Sequence, residues 1–171
     1  MPIHTYLKPW TGPAVRHIPK TGDPMDFSLC GRSLEHRWNR EGEPTLYLAS
    51  DKSVVLAEFS RHVEESRTKS LVAKLRDRTI HEYRLKLEST LDLTDAKVVK
   101  ALSLDPQRSF LDKAICRSTA SFIRTTTPAQ AIFVPSMAFL DDLAKWCLVL
   151  FMEKVESDLG KVFLRVDDVG L

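Results

Sequence analysis

Hydrophobic and polar positions alternate along this chain with two distinct periods. Near its middle His81, Tyr83, Leu85 and Leu87 interleave with Glu82, Arg84, Lys86 and Glu88, the period-two signature of a strand with one buried and one solvated face. In the shorter run Thr45-Leu46-Tyr47-Leu48-Ala49, Leu46 and Leu48 take one face and Tyr47 the other, because side chains alternate across a strand. Residues 14–18, 91–93 and 131–134 predict further strands, the last ended by Pro135, which offers no N–H. Two more, over 147–155 and 161–166, are expected to form a hairpin about a turn at 157–160. Gly160 would supply the positive φ of that turn.

A helical period sets in after Asp51, whose carboxylate is placed to cap a helix over 52–65. Val55, Leu56, Phe59 and Val63 make its apolar arc, and Glu58 falls just off the edge, beside Val54 and His62. A turn at 66–69 and a short helix from Leu71 to Asp77 follow, and a second helix runs from Thr94 or Asp95 to about Leu102. Ser109 and Asp112 form a capping-box-like start for a helix from Phe110 to about Arg124. Its inner stripe reads as Leu111, Ala114, Ile115, Ser118 and Phe122, and Pro128 stops it. The class is α+β: mostly antiparallel strands with helices packed around or between them.

Length and composition narrow the picture. With 171 residues, 43% of them hydrophobic, and no internal repeat, the chain supports one core and one domain over 1–171. A net charge of +2 gives no push toward nucleic acid or acidic lipid. Cys30, Cys116 and Cys147 are far apart and form no C-x-x-C pair, which argues against zinc and disulfides and for reduced thiols in a cytoplasmic protein. The N-terminus lacks a signal-peptide run, and Trp146–Met152, the most apolar stretch, is far short of a membrane span. P-loop, Rossmann glycine, nucleophile-elbow and zinc-helix motifs are all absent.

A few polar residues carry candidate chemistry. Arg37 precedes a loop closed by Gly42 and Pro44; Tyr47 faces away from the leucines beside it; Glu58 borders an apolar arc; Ser136 follows a buried strand. Each has an ordinary alternative. Glu58 and His62 at i,i+4 make a surface pair worth a few tenths of a kcal/mol. By itself Arg16 reads first as a solvated strand arginine, and Ser136 reads equally as the N-cap of a helix over 137–144. Basic residues between Arg61 and Lys86 are interleaved with acidic ones, as on a solvated face more than on a nucleic-acid patch. Trp10, Trp38 and Trp146 suit the core or an interface, and the core is the first assignment.

Taken in order, Ala14-Val15-Arg16-His17, Arg37-Trp38-Asn39 through Gly42 to Tyr47-Leu48-Ala49, Leu56-Ala57-Glu58, Leu91 to Asp95, and Phe133-Val134-Pro135-Ser136 resemble the RES domain, the toxin half of Xre–RES toxin–antitoxin pairs. Two positions depart from the family pattern: His36 stands where glycine usually precedes the arginine, and Lys145-Trp146 where an asparagine is common.

The resemblance implies an ADP-ribosyltransferase-like fold of the diphtheria-toxin type and a type II toxin that consumes NAD. Such a toxin would cleave the nicotinamide bond with phosphate (NAD phosphorylase) or water as acceptor, or transfer ADP-ribose to a protein. NAD would be a substrate, with no metal and no resident cofactor. Arg16 and Arg37 would hold pyrophosphate or phosphate, Tyr47 would stack on nicotinamide, Glu58 would stabilise the oxocarbenium-like charge, and Ser136 would orient it. An Xre-like helix-turn-helix antitoxin would be the partner, with nucleic acid reached only through it, no membrane, and room for a homodimer within the complex. A non-catalytic module that binds RNA or a partner through residues 61–86 is the alternative from another class.

Overall fold

The computed structural model describes residues 2–30, 36–65 and 77–171, apart from the side chains of His62, Glu64 and Glu65. Six strands and four α-helices are formed among them: β1 (Lys8–Pro19), β2 (Thr45–Ala49), α1 (Lys52–Glu65), β3 (Arg78–Asp92), α2 (Ala96–Ala101), α3 (Lys113–Thr126), β4 (Ala131–Pro135), β5 (Trp146–Phe151), α4 (Leu159–Val162) and β6 (Phe163–Asp168). The strands run in the order β1-β2-β5-β4-β3-β6, and an additional β1–β3 pairing closes the first five into a barrel. All pairs are antiparallel except β3–β4. β3 is the longest strand, at 15 residues. One of its edges pairs along β1, while the other serves β6 over His81–Leu85 and β4 over Thr90–Asp92.

Strand alternation sorts the apolar residues into an inside and an outside. Leu46, Leu48, Tyr83, Leu85, Leu87, Phe133, Leu148 and Leu150 fill the barrel, with Trp10 and Trp146 packed against them. Their neighbours Val149, Phe151, Ile132 and Val134 point outward and pack with residues of α2 and α3, including Val98, Val99, Ala120 and Ile123, and with Trp38. A third cluster, Val15, Ala49, Val54, Val55 and Ile80, seats α1 on the barrel wall. β4 is buried over its whole length because both of its faces are covered.

Several expectations need correction. The strands over 81–88 and 91–93 are one continuous β3. α3 begins at Lys113 with Asp112 as its cap, while the Ser109 hydroxyl accepts from the Asp105 N–H 2.9 Å away in the preceding loop. The buried side of α3 is Cys116, Thr119, Ala120, Ile123 and Arg124, and the predicted inner residues Leu111, Ile115 and Phe122 are exposed. On α1, Val54 is buried and Leu56 exposed. No helix forms over 137–144, which is a series of turns. β5 and β6 are not a hairpin: β5 pairs with β2 and β4, and β6 with β3. Two 3-10 turns and α4 join them, and Gly160 lies within α4. The expected turn at 66–69 and most of the helix from Leu71 lie outside the described residues.

Candidate active site

The first turn of α1 is capped by Asp51, whose Oδ1 accepts from the N–H groups of Ser53 at 2.8 Å and Val54 at 3.2 Å. Val54 and Val55 pin the helix to the barrel. Glu58, one turn beyond Val54, therefore comes out at the border of the buried face, its side chain 31% exposed. The other half of the site arrives from the end of β4. Ser136, with no exposed surface, stands one residue past the strand, and its N–H donates to the Lys145 carbonyl at 2.9 Å.

Glu58 and Ser136 meet. The Ser136 hydroxyl donates to Glu58 Oε1 at 2.6 Å, and the Ala138 N–H reaches the same oxygen at 3.2 Å. That N–H also lies 3.2 Å from Ser136 Oγ, so hydroxyl and carboxylate share a small donor cradle. Glu58 Oε2 is left facing Arg61, whose Nη1 is 3.7 Å away. Hydrogen bonds to an ionised carboxylate are short and strong, so one oxygen of Glu58 is held by two donors while the other faces the Arg61 guanidinium. The expected Glu58–His62 pair involves a side chain outside those described.

Tyr47 lies on the outer face of β2, as its alternation with Leu46 and Leu48 requires, among the residues under α2 and α3. Its hydroxyl donates to Asn39 Oδ1 at 2.8 Å and accepts from the Trp38 N–H at 3.1 Å. The His36 ring meets its edge at a centroid distance of 5.8 Å. Burial pushes the Tyr47 phenol well above its ordinary range. Asn39, fully buried, is a site neighbour that sequence reading passed over, because an asparagine in a Gly/Pro loop looks like any turn residue. The left-handed φ of +80° at Gly42 lets that loop turn back toward β2. Cys147, on the adjoining strand β5, packs against both the cluster that holds Tyr47 and the one that seats α1, and burial raises its thiol.

The arginines are placed differently. Arg37 lies on the outer side, its Nη1 donating to the carbonyls of Phe110 at 3.0 Å and Leu111 at 3.2 Å in the loop before α3. Arg16 pairs across β1–β3 with His81, next to the Ala14–Tyr83 pair that faces the barrel interior. Its charge lowers the Tyr83 phenol and the Cys30 thiol, both of which burial raises. Arg16 thus projects to the face opposite Tyr47. Among the described contacts none joins Arg16 or Arg37 to Glu58. Two hollows, about 480 Å³ beside Ile3, Leu102 and Phe122 and about 140 Å³ beside Tyr6, Trp10 and Asp95, contain none of the five predicted site residues.

Both residues of the second departure, Lys145-Trp146, have clear structural roles. Lys145 Nζ bonds Asp51 Oδ2 and Ser53 Oγ, each at 2.9 Å. Trp146 packs edge-on against Trp10 and Phe133 in the barrel. Among the described residues no three His, Cys, Asp or Glu side chains gather as metal ligands, and no helix is long and apolar enough to cross a membrane.

The family model of the RES domain matches residues 11–162. No curated protein matches the chain. Among solved structures, a chain of the M. tuberculosis MbcT–MbcA toxin–antitoxin complex superposes with a TM-score of 0.73 at 19% sequence identity, covering 98% of this chain and 89% of that one. At that identity the likeness is one of fold.

Proposed function

The chain belongs to the RES domain family, and from that premise we propose that it is the toxin of a type II toxin–antitoxin pair, an enzyme of ADP-ribosyltransferase type that breaks the nicotinamide N-glycosidic bond of NAD. Phosphate is the first acceptor in this reading and water the second. The observation that carries it is the Ser136–Glu58 hydrogen bond of 2.6 Å, reinforced by the Ala138 N–H.

Breaking the bond to nicotinamide leaves positive charge on the ribose. The ring is cationic in NAD and departs neutral, so the leaving group needs no proton. What the reaction demands is a fixed negative charge beside the sugar, held before the bond stretches. Glu58 supports that role: Oε1 is anchored by two donors, and Oε2 lies 3.7 Å from Arg61 Nη1. Ser136 orients the carboxylate. Tyr47, fixed through its hydroxyl, offers a ring beside the same strand pair. Arg37 has five N–H donors in a rigid fork, and its two carbonyl contacts both use Nη1, so Nε and Nη2 suit a phosphate oxygen. Arg16, on the interior face, is the second phosphate-binding arginine of this reading.

The partner in this reading is an Xre-like helix-turn-helix antitoxin that covers the site, a role supported by the toxin–antitoxin complex to which the superposed chain belongs. Incubating the purified protein with NAD, with and without phosphate, tests the reading. Nicotinamide release that disappears in Glu58→Gln, with phosphate accelerating it, is the expected result. Stable NAD under both conditions would remove the proposal, and label transferred to a protein band would move it to protein ADP-ribosylation.

A further inference from the structure

The segment that supplies Ser136 and Ala138 is a closed loop. Its ends are joined by the Ser136 N–H to Lys145 carbonyl bond at 2.9 Å, and successive turns bond Phe139 to Ser136, Asp142 to Phe139 and Lys145 to Asp142. This loop touches α1 at two places. At one end Ser136 and Ala138 hold Glu58. At the other, Lys145 Nζ reaches back to the first turn of the helix, 2.9 Å from Asp51 Oδ2 and 2.9 Å from Ser53 Oγ. The ammonium also lies over the Phe139 ring, 5.9 Å from its centroid, and Phe139 packs against the cluster that seats α1.

A helix rises about 1.5 Å per residue, so the two attachment points stand roughly 8–10 Å apart along α1. The loop leaves β4 at Pro135 and enters β5 at Trp146, which are paired with each other, so its root is fixed to the barrel and the Lys145 side chain ties that root to α1. We propose that Lys145 is a positioning residue for Glu58: by clamping the root of the 136–145 loop to the cap of α1, it sets how the helix brings the carboxylate against the Ser136 hydroxyl and the Ala138 N–H. The inference rests on the NAD-cleaving role of Glu58 for its kinetic consequence, and on geometry alone for the clamp.

The clamp is partly exposed, with Lys145 at 30% and Asp51 at 40%, so its loss should leave the fold intact. It carries no contact to a bound substrate in this assignment. Its removal should therefore lower kcat and spare KM, since small displacements of a catalytic group cost up to about a hundredfold in rate.

The test uses the full chain, as wild type, Lys145→Met, Lys145→Arg and Asp51→Asn. With NAD as substrate, Lys145→Met and Asp51→Asn should each reduce kcat by about ten- to a hundredfold with KM within about twofold. Lys145→Arg, which can still reach both oxygens, should restore most of the rate. Amide exchange at Ala138, measured on the same proteins, reads the clamp without any turnover. It should quicken by tenfold or more in Lys145→Met and hardly at all in Lys145→Arg. Unchanged exchange in Lys145→Met overturns the clamp, and quickened exchange with undiminished kcat overturns the positioning role. A wild type that leaves NAD intact sinks the enzymatic reading instead, and the exchange measurement still decides the clamp.

Discussion

Glu58 and Ser136 lie 78 residues apart in the chain and 2.6 Å apart across a hydrogen bond. Neither residue is supported by its own element alone: one hangs from the second turn of α1, the other from the end of β4. Their meeting depends on α1 and β4 both packing on one barrel.

Ser136→Ala should therefore act on Glu58 without touching the substrate. Leaving a partly buried carboxylate short of a donor costs about 1–3 kcal/mol of stability, and the freed rotamer should reduce kcat by about tenfold to a hundredfold. Chemical denaturation paired with nicotinamide release checks both. Glu58→Gln keeps the shape of the side chain, so it should retain stability to within about 1 kcal/mol while abolishing release.

Tyr47→Phe removes the hydroxyl that bonds both Asn39 and the Trp38 N–H. Two buried groups lose a partner, and the expected destabilisation is about 1–3 kcal/mol. The same phenol gives a pH signature. Burial raises its folded pKa, so its neutral form stabilises the fold below the ordinary tyrosine value of about 10, and that stability is lost as pH climbs above it. Thermal melts from pH 8 to 11 should show wild type losing stability more steeply than Tyr47→Phe at the alkaline end.

Arg124 is 8% exposed, bonded to Glu153 at 3.0 Å and Thr45 Oγ1 at 2.7 Å, and stacked over Phe151 at 4.4 Å. Truncation to alanine leaves a void and unpaired oxygens, and should cost about 3–5 kcal/mol. Lysine lacks the flat fork and should recover only part of it. Urea midpoints of the three proteins provide the comparison.

The two sides of α3 make opposite predictions. Ile123→Ala, within the core, should cost about 2–5 kcal/mol, whereas Phe122→Ser, on the exposed side, should change stability by no more than about 0.5 kcal/mol. Reversal of that order in denaturation experiments would mean that the helix sits the other way round.

The site is partly legible in the sequence alone. β2 and α1 were bounded correctly, because five residues of strict alternation and a capped helical arc are local signals. The same alternation put Tyr47 on the far side from its leucines. The stripe of α3 was misread for a physical reason: both sides of the helix carry apolar residues, and periodicity cannot say which of them meets the barrel. Gly160 was likewise assigned a hairpin because a glycine among polar residues fits a turn, although strand partners are chosen by the whole sheet.

By itself the sequence determined the local elements, the resemblance to the RES domain, and which side chains bear chemistry, since these depend on neighbours within a turn or a strand. Tertiary structure alone decided which of those side chains meet. It joined Glu58 to Ser136, buried Asn39 under Tyr47, turned Arg16 into the barrel, and set Lys145 on the cap of α1. Such contacts arise from barrel closure between strands far apart in the chain, and no local period encodes that closure.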